Sequence, residues 1–178
     1  MRKSVLFFAL ILLSSIGVSQ SKAYNYIGLR PYITAEPYYE KGELDFNIAP
    51  LVYQRSITNN FDLRLASILN LGFRNDEIAI THIGLQLGGP IYFSKKENKS
   101  EHSKGLYIAP VLSLTRNILE LHTNTGLYIE PGYHLALSDK FSLMMGLELG
   151  ATYFNYDDLR EDGWESHFGV SIILAWSI

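Results

Sequence analysis

The stretch FSLMMGLELGATY, residues 141–153, decides the fold class of this chain. Every second side chain in it is apolar, and the apolar set begins and ends on an aromatic ring: Phe141, Leu143, Met145, Leu147, Leu149, Ala151 and Tyr153. The intervening side chains are mostly small or polar: Ser142, Met144, Gly146, Glu148, Gly150 and Thr152. Because successive side chains of a β-strand point to opposite faces, this pattern predicts a long strand with one apolar and one polar face.

The same period of two continues along the chain from Tyr24 onward. It predicts eight strands, at 25–39, 43–55, 60–74, 77–93, 105–117, 124–137, 140–154 and 164–178. These segments are longer than the five or six residues that are usual in soluble strands, and membrane strands need ~9–11 residues. The sequence therefore predicts an all-β fold, an eight-stranded antiparallel up-and-down transmembrane β-barrel.

A soluble antiparallel barrel, apolar inside and polar outside, shows the same alternation. Two features favour the membrane interpretation. The polar face is rich in glycine and small residues and poor in lysine, which suits a crowded interior better than a solvated surface. Aromatic residues stand near the strand ends, as in the girdles of membrane barrels: Phe61, Phe73, Phe93, Phe141, Tyr153 and Trp176.

The predicted interior carries charges of both signs: Arg30, Arg55, Arg64, Glu36, Asp45, Asp62, Glu130 and Glu148. Buried charges persist only when they are paired, and eight strands leave room only for side chains. We therefore expect a closed network of ion pairs and no large pore. In the less regular strands the pattern assigns Val52 and Ala79 to the apolar face, and Tyr53 and Arg55 to the polar face.

The first residues indicate export. Arg2 and Lys3 precede an almost wholly apolar run over 5–18, and small residues favour cleavage after Ala23, with Ser19 as the alternative. This is the layout of a secretory signal peptide, and the run is shorter than the roughly 20 residues of a spanning helix. The predicted organisation is a signal peptide over 1–23 and one barrel domain over 24–178.

If both chain ends lie in the periplasm, the turns at 57–60, 94–104 and 138–140 are periplasmic. The turns at 40–42, 74–76, 118–123 and 155–163 are then extracellular. All six prolines fall inside predicted strands, where each removes a ladder hydrogen bond: Pro31, Pro37, Pro50, Pro90, Pro110 and Pro131.

The composition excludes several classes of function. The chain has no cysteine, which rules out disulfides, thiolate metal sites and thiol nucleophiles. The formal net charge of −3 includes no basic stripe of the kind that a nucleic-acid partner needs. No later segment is apolar enough to span a bilayer as a helix. We expect no cofactor and no catalytic, cofactor-binding or metal-binding residue.

Three stretches carry a family resemblance: KGLYIAPVLSL (104–114), GLYIEPGYHLALSDKFSLMMGLELGATYF (126–154) and ITNNFDLRLASILNLGF (57–73). They resemble the small eight-stranded outer-membrane barrels of the OmpA and OmpX type, above all the short barrels of Bacteroidota. The resemblance implies a monomer in the bacterial outer membrane, in contact with lipid and lipopolysaccharide. It also implies insertion by the barrel-assembly machinery, which reads a terminal aromatic residue; this chain ends Trp176-Ser177-Ile178.

The histidines give no metal-binding spacing. We expect His82, His134 and His167 to face the interior, and His102 and His122 to lie in loops. The run HTNTG at 122–126 is loosely similar to the His-x-Ser-Asn run of lipid A deacylases, whose Ser/His/Glu set implies acyl hydrolysis. No serine stands near this run, so we expect a protein that is not an enzyme.

The acidic segment formed by Asp157, Asp158, Glu161 and Asp162 has the oxygen ligands that Ca²⁺ prefers, but we expect a solvated loop. The sequence thus predicts an integral outer-membrane protein with a structural or surface-interaction role. Two alternatives stay open: a lipid A-modifying barrel enzyme, and a soluble periplasmic barrel that binds an apolar ligand.

Overall fold

A computed structural model describes residues 24–34, 44–73, 78–94 and 103–178. Its strands are β1 Asn25–Leu29, β2 Ile33–Thr34, β3 Leu44–Asn47, β4 Leu51–Ser56, β5 Asp62–Phe73, β6 Ile78–Gly88, β7 Ile91–Tyr92, β8 Gly105–Asn117, β9 His122–Ala136, β10 Phe141–Tyr156 and β11 Gly163–Ser177. The predicted signal peptide and the predictions for Glu36, Pro37 and His102 lie outside the described residues. No helix in the described part is long and apolar enough to cross a membrane.

The strands form one closed antiparallel barrel. Three barrel strands consist of two stretches each, β1 with β2, β3 with β4, and β6 with β7, which gives eight barrel strands in all. The ring closes where β1 pairs with β11, from Tyr26 opposite Ser177 to Leu29 opposite Leu174. The prediction of an eight-stranded antiparallel barrel is therefore confirmed.

The two ends of the barrel differ. The terminal end holds Tyr24, Ile178 and the connections at 57–61 and 137–140. The loop end holds the turn at 118–121 and the loop at 157–162. Leu121 closes that turn with a φ of 52°, a left-handed conformation that few residues other than glycine adopt.

Each described proline stands beside a break in strand pairing. Pro31, Pro50 and Pro90 lie between the paired stretches β1 and β2, β3 and β4, and β6 and β7. Pro110 faces the Pro90 break, where its carbonyl accepts a hydrogen bond from Gly89 N at 2.9 Å. At Pro131 the register of β9 with β10 is interrupted between Gly132 and Ile129. The breaks thus accommodate residues that cannot donate to a ladder.

The breaks also correct four face assignments. Beyond Pro50 the alternation resumes out of step, so that Val52 is buried in the interior, whereas Tyr53 and Arg55 are exposed on the outside. A bulge at Thr81 also shifts the alternation in β6, where Ile80 rather than Ala79 is exposed. Each correction has one cause: an irregularity in the backbone shifts the two-residue period by one position, which moves every following side chain to the other face.

Away from these breaks the predicted faces are correct, and they give the barrel an apolar exterior and a polar interior. Large apolar side chains are exposed along the middle of every barrel strand: Ile27, Leu51, Leu65, Leu85, Leu112, Leu127, Leu147 and Val170 are examples. The buried side chains are mostly polar or charged, such as Arg64, Asp62 and Glu130. This is the reverse of the usual distribution in soluble proteins.

Candidate functional site

The middle of the interior holds a fully buried ion pair. Arg64 on β5 reaches across to Glu130 on β9, and Tyr107 Oη donates to Glu130 Oε1 at 2.6 Å. Arg64 is 2 % exposed and Glu130 is 0 % exposed. Because isolated charges at such burial are costly, each partner offsets the desolvation of the other.

A second ion pair lies closer to the loop end. Arg30 Nη2 is 2.6 Å from Glu148 Oε1, and Gln86 Nε2 donates to the same oxygen at 3.0 Å. Gln86 also accepts a hydrogen bond from Arg30. The second oxygen of Glu148 lies 3.7 Å from His167 Nε2. Glu148 therefore accepts hydrogen bonds from two other barrel strands, through Arg30 and Gln86.

Towards the terminal end the buried carboxylate is Asp62. Its Oδ2 accepts hydrogen bonds from Gln54 Nε2 at 2.8 Å and from Ser103 Oγ at 2.6 Å. Gln54 also donates to Tyr92 Oη at 3.1 Å, and that hydroxyl lies 3.1 Å from His134 Nδ1. These hydrogen bonds link side chains on β4, β5, β7 and β9 in this half of the interior.

Near the loop end, Asp45 Oδ2 accepts from Thr81 Oγ1 at 2.7 Å and lies 2.9 Å from His82 Nδ1. The other ring nitrogen of His82 lies 3.1 Å from Asn117 Nδ2. The sequence predicted that His122 lies in a loop, and this prediction is wrong. His122 is the first residue of β9 and is 0 % exposed. The reason is that β9 begins two residues earlier than predicted, which places His122 in step with the interior-facing Asn124.

Between the Arg30–Glu148 pair and the loop end lies a polar cavity of about 60 Å³. Its lining includes Asn47, Asn70, His82, Asn124 and His167. Of the described residues that line this cavity, three have a buried atom with no hydrogen-bond partner: Arg30 Nε, Asn70 Oδ1 and His167 Nε2. A polar cavity of this size holds several water molecules, and such waters would satisfy these three atoms.

On the outside, two aromatic pairs bound the apolar surface of β10 and β11. Phe141 and Trp176 are register partners at the terminal end, with ring centroids 5.3 Å apart. Tyr153 and Trp164 form the corresponding pair at the loop end, also 5.3 Å apart. At ~3.4 Å per residue and a tilt of ~40°, the strand between Phe141 and Tyr153 rises roughly 30 Å along the barrel axis.

The acidic loop at 157–162 is held by its own contacts. A side-chain hydrogen bond from Arg116 lowers the pKa of Asp157, and one from Arg160 lowers the pKa of Asp158. Hydrogen bonds from Tyr156 N and then from Asn155 lower the pKa of Asp162. The described residues contain no group of three or more His, Cys, Asp or Glu side chains that is arranged to hold a metal ion.

The alternating pattern identified most of the interior residues, including Arg30, Arg64, Glu130 and Glu148. It missed Gln54, Asn117 and His122, which follow a phase shift or lie next to a turn. Comparison with family models, curated proteins and solved structures gives no match for this chain. The resemblance to the small outer-membrane barrels therefore stays a prediction.

Proposed function

We propose that this protein is an integral outer-membrane barrel with a structural or surface-interaction role, and that its interior forms no large pore. The observation that carries the proposal is the apolar outer surface bounded by the pairs Phe141–Trp176 and Tyr153–Trp164. Aromatic girdles that flank an apolar band of about 25 Å are the mark of a barrel fitted to a bilayer. The height of roughly 30 Å between the two pairs agrees with a hydrocarbon core of about that thickness.

The polar interior supports the same proposal. A soluble barrel that binds an apolar ligand needs an apolar cavity, whereas the cavity here is lined by amides, hydroxyls and the Arg30–Glu148 pair. Exposed apolar area of the extent seen on β8–β11 makes a soluble monomer prone to aggregate. In a bilayer the same surface is matched by lipid, and the polar side chains lie inside the barrel, away from the hydrocarbon.

Cell fractionation tests the location. We expect the protein to remain in the membrane pellet through an alkaline carbonate wash and to require detergent for extraction. N-terminal sequencing of the extracted protein is expected to begin at Tyr24. Recovery from the soluble fraction without detergent would contradict the proposal and favour the soluble alternative.

Planar-bilayer recording tests the absence of a large pore. The side chains of Arg64, Glu130 and Tyr107 fill the middle of the barrel, so we expect no large and stable conductance steps. Reproducible porin-sized steps from a monomer would overturn this part of the proposal. Mass spectrometry of lipid A with and without the gene addresses the enzyme alternative, and we expect identical lipid A in both strains.

A further inference from the structure

We propose that protonation of His82 releases the surface turn at 118–121, so that this interior histidine makes the loop end responsive to acid. Asn117 connects the two. Its Oδ1 accepts hydrogen bonds from the backbone N of Leu119 at 3.0 Å and of Glu120 at 2.8 Å. An amide oxygen only accepts and an amide nitrogen only donates, so these two bonds fix the orientation of the Asn117 side chain.

That orientation also fixes the protonation of His82 when it is neutral. Asn117 Nδ2 faces His82 Nε2 at 3.1 Å, so Nε2 must accept the hydrogen bond and cannot carry a proton. The proton of the neutral ring therefore lies on Nδ1, which donates to Asp45 Oδ2 at 2.9 Å. The two hydrogen bonds by which Asn117 caps the surface turn therefore hold the neutral histidine in the Nδ1–H form.

A second proton changes this arrangement, because both ring nitrogens of a charged histidine are donors. His82 Nε2–H then faces the NH₂ group of Asn117, and two donors oppose each other. The side chain of Asn117 can relieve the conflict by rotating its oxygen towards His82, but this removes the cap from Leu119 and Glu120. The turn includes Leu121 in a left-handed conformation, which is unfavourable for leucine and depends on such caps.

Charged and titratable groups surround His82 on several strands. Asp45 on β3 is in direct contact, His122 on β9 has its ring centroid 6.1 Å away, and Arg30, Glu148 and His167 line the same cavity. The neighbours of His82 on β5 and β8 are uncharged asparagines, Asn70 and Asn117. The described interior holds four carboxylates and two guanidinium groups: Asp45, Asp62, Glu130, Glu148, Arg30 and Arg64.

The release extends beyond the turn itself. Ile118 N donates to Thr81 O at 2.7 Å, directly beside His82. On its other side the turn contacts the loop at 157–162, since Asp157 N donates to Leu121 O at 3.0 Å and Arg160 Nη1 lies 2.9 Å from Glu120 Oε2. These contacts of the turn do not depend on which side of a membrane the loop end faces.

NMR of the refolded full barrel in detergent micelles, with ¹⁵N-labelled histidine, tests the first step. At neutral pH we expect His82 in the Nδ1–H form. The spectra are compared between about pH 8 and pH 5, the interval over which histidine side chains change charge. The exchange protection factors of the Leu119 and Glu120 amides, corrected for intrinsic rates, are expected to fall at least about tenfold over the same range.

Two variants locate the response. In His82→Gln the side-chain oxygen can accept from Asn117 Nδ2 at every pH, so the two amides are expected to stay protected in acid. His134→Gln is the matched control, because His134 is equally buried but lies in the terminal half of the barrel. We expect it to keep the acid response of the turn.

Three results would overturn the proposal. One is an Nε2–H form of His82 at neutral pH in the unmodified protein. Another is protection of Leu119 and Glu120 that does not change between neutral and acid pH. The third is an acid response that persists in His82→Gln, which would assign the response to a different group, such as His122. The first two need no variant, so a folding defect in His82→Gln leaves the proposal testable.

Discussion

The two walls of the barrel are built differently. The wall from β8 to β11 is nearly regular, and β10 pairs with β11 without a gap from Phe141 opposite Trp176 to Phe154 opposite Gly163. The wall from β1 to β7 is interrupted at 30–32, 48–50 and 89–90, and it contains a bulge at Thr81. A strand that is broken loses part of its ladder, so the interrupted wall needs support from elsewhere.

That support comes across the interior. Both buried arginines, Arg30 and Arg64, lie on the interrupted wall, and their partners Glu148 and Glu130 lie on the regular wall. The two ion pairs therefore connect the walls at different heights. Arg30 stands directly at a break, beside Pro31, whereas Arg64 lies on β5 and is paired on both sides, so the charges brace the interrupted wall as a whole against the regular one.

The largest effect is expected from Arg64→Met. The substitution leaves Glu130 buried without its cation, which costs ~3–5 kcal/mol of the free energy of unfolding. A urea titration of the barrel in detergent micelles measures it. The double variant Arg64→Met, Glu130→Gln is the control and is expected to recover most of the loss. A loss below about 1 kcal/mol in the single variant would show that the walls do not depend on this pair.

The next largest effect concerns the exterior. Leu147→Arg places a charge at the middle of the apolar band, which costs ~2–4 kcal/mol in a bilayer. Leu65→Arg tests the same height on the interrupted wall. Leu159→Arg in the 157–162 loop is the control, since Leu159 is fully exposed and such surface changes stay within about 0.5 kcal/mol. Refolding into lipid vesicles gives the comparison, and equal stability of Leu147→Arg and Leu159→Arg would contradict a lipid-facing band.

A smaller effect tests the phase shift after Pro50. The chain has no cysteine, so single cysteines report cleanly on accessibility. Arg55→Cys is expected to react with a maleimide at least about tenfold faster than Ser56→Cys, because Arg55 is exposed and Ser56 is 2 % exposed. Stopped labelling followed by mass spectrometry measures the two rates. The reverse order would restore the assignment of Arg55 to the interior.

The smallest effect is in the 157–162 loop. Hydrogen bonds to its carboxylate lower the pKa of Asp162. These bonds therefore stabilise the loop at every pH above the unfolded-state pKa of Asp162. The stabilisation is lost as the pH falls through the lower, folded-state pKa. We therefore expect the Tyr156 amide signal to keep its chemical shift from neutral pH down to about pH 4 and to move only below it. Asp162→Asn is the control and is expected to remove the transition. A transition of Tyr156 near neutral pH would assign it to another group.

The sequence predicted the regular wall well and the interrupted wall less well, for a physical reason. On β8–β11 the period of two runs without interruption, so the polarity of one side chain fixes the face of the next. On β4 and β6 one extra residue reverses the faces, and nothing in the polarity of Val52 or Tyr53 marks the reversal. Pro50 was the available signal, since a proline inside a predicted strand indicates a break.

The interior contacts were less predictable than the faces. Alternation identified Arg30, Glu148, Arg64 and Glu130 as interior residues, but it gave no register. Both ion pairs join strands that are not neighbours in the sheet, so their formation depends on closure of the whole ring. The same holds for the contact between His82 and Asp45, which are on strands that are not adjacent.

The closing pair of strands has a consequence for the timing of synthesis. β1 is made first and β11 last, so Tyr26–Leu29 have no partner at residues 174–177 until β11 has been synthesised. An open strand edge is a template for pairing with other chains, and one edge of β1 stays open to such pairing during the delay. Ile178 N donates to Asn25 O at 3.0 Å, so the two ends lie side by side. In a circular permutant, a short linker would join Ile178 to Tyr24 and new chain ends would lie in the 157–162 loop. The pairing of β1 with β11 would then form within a local hairpin, without the delay.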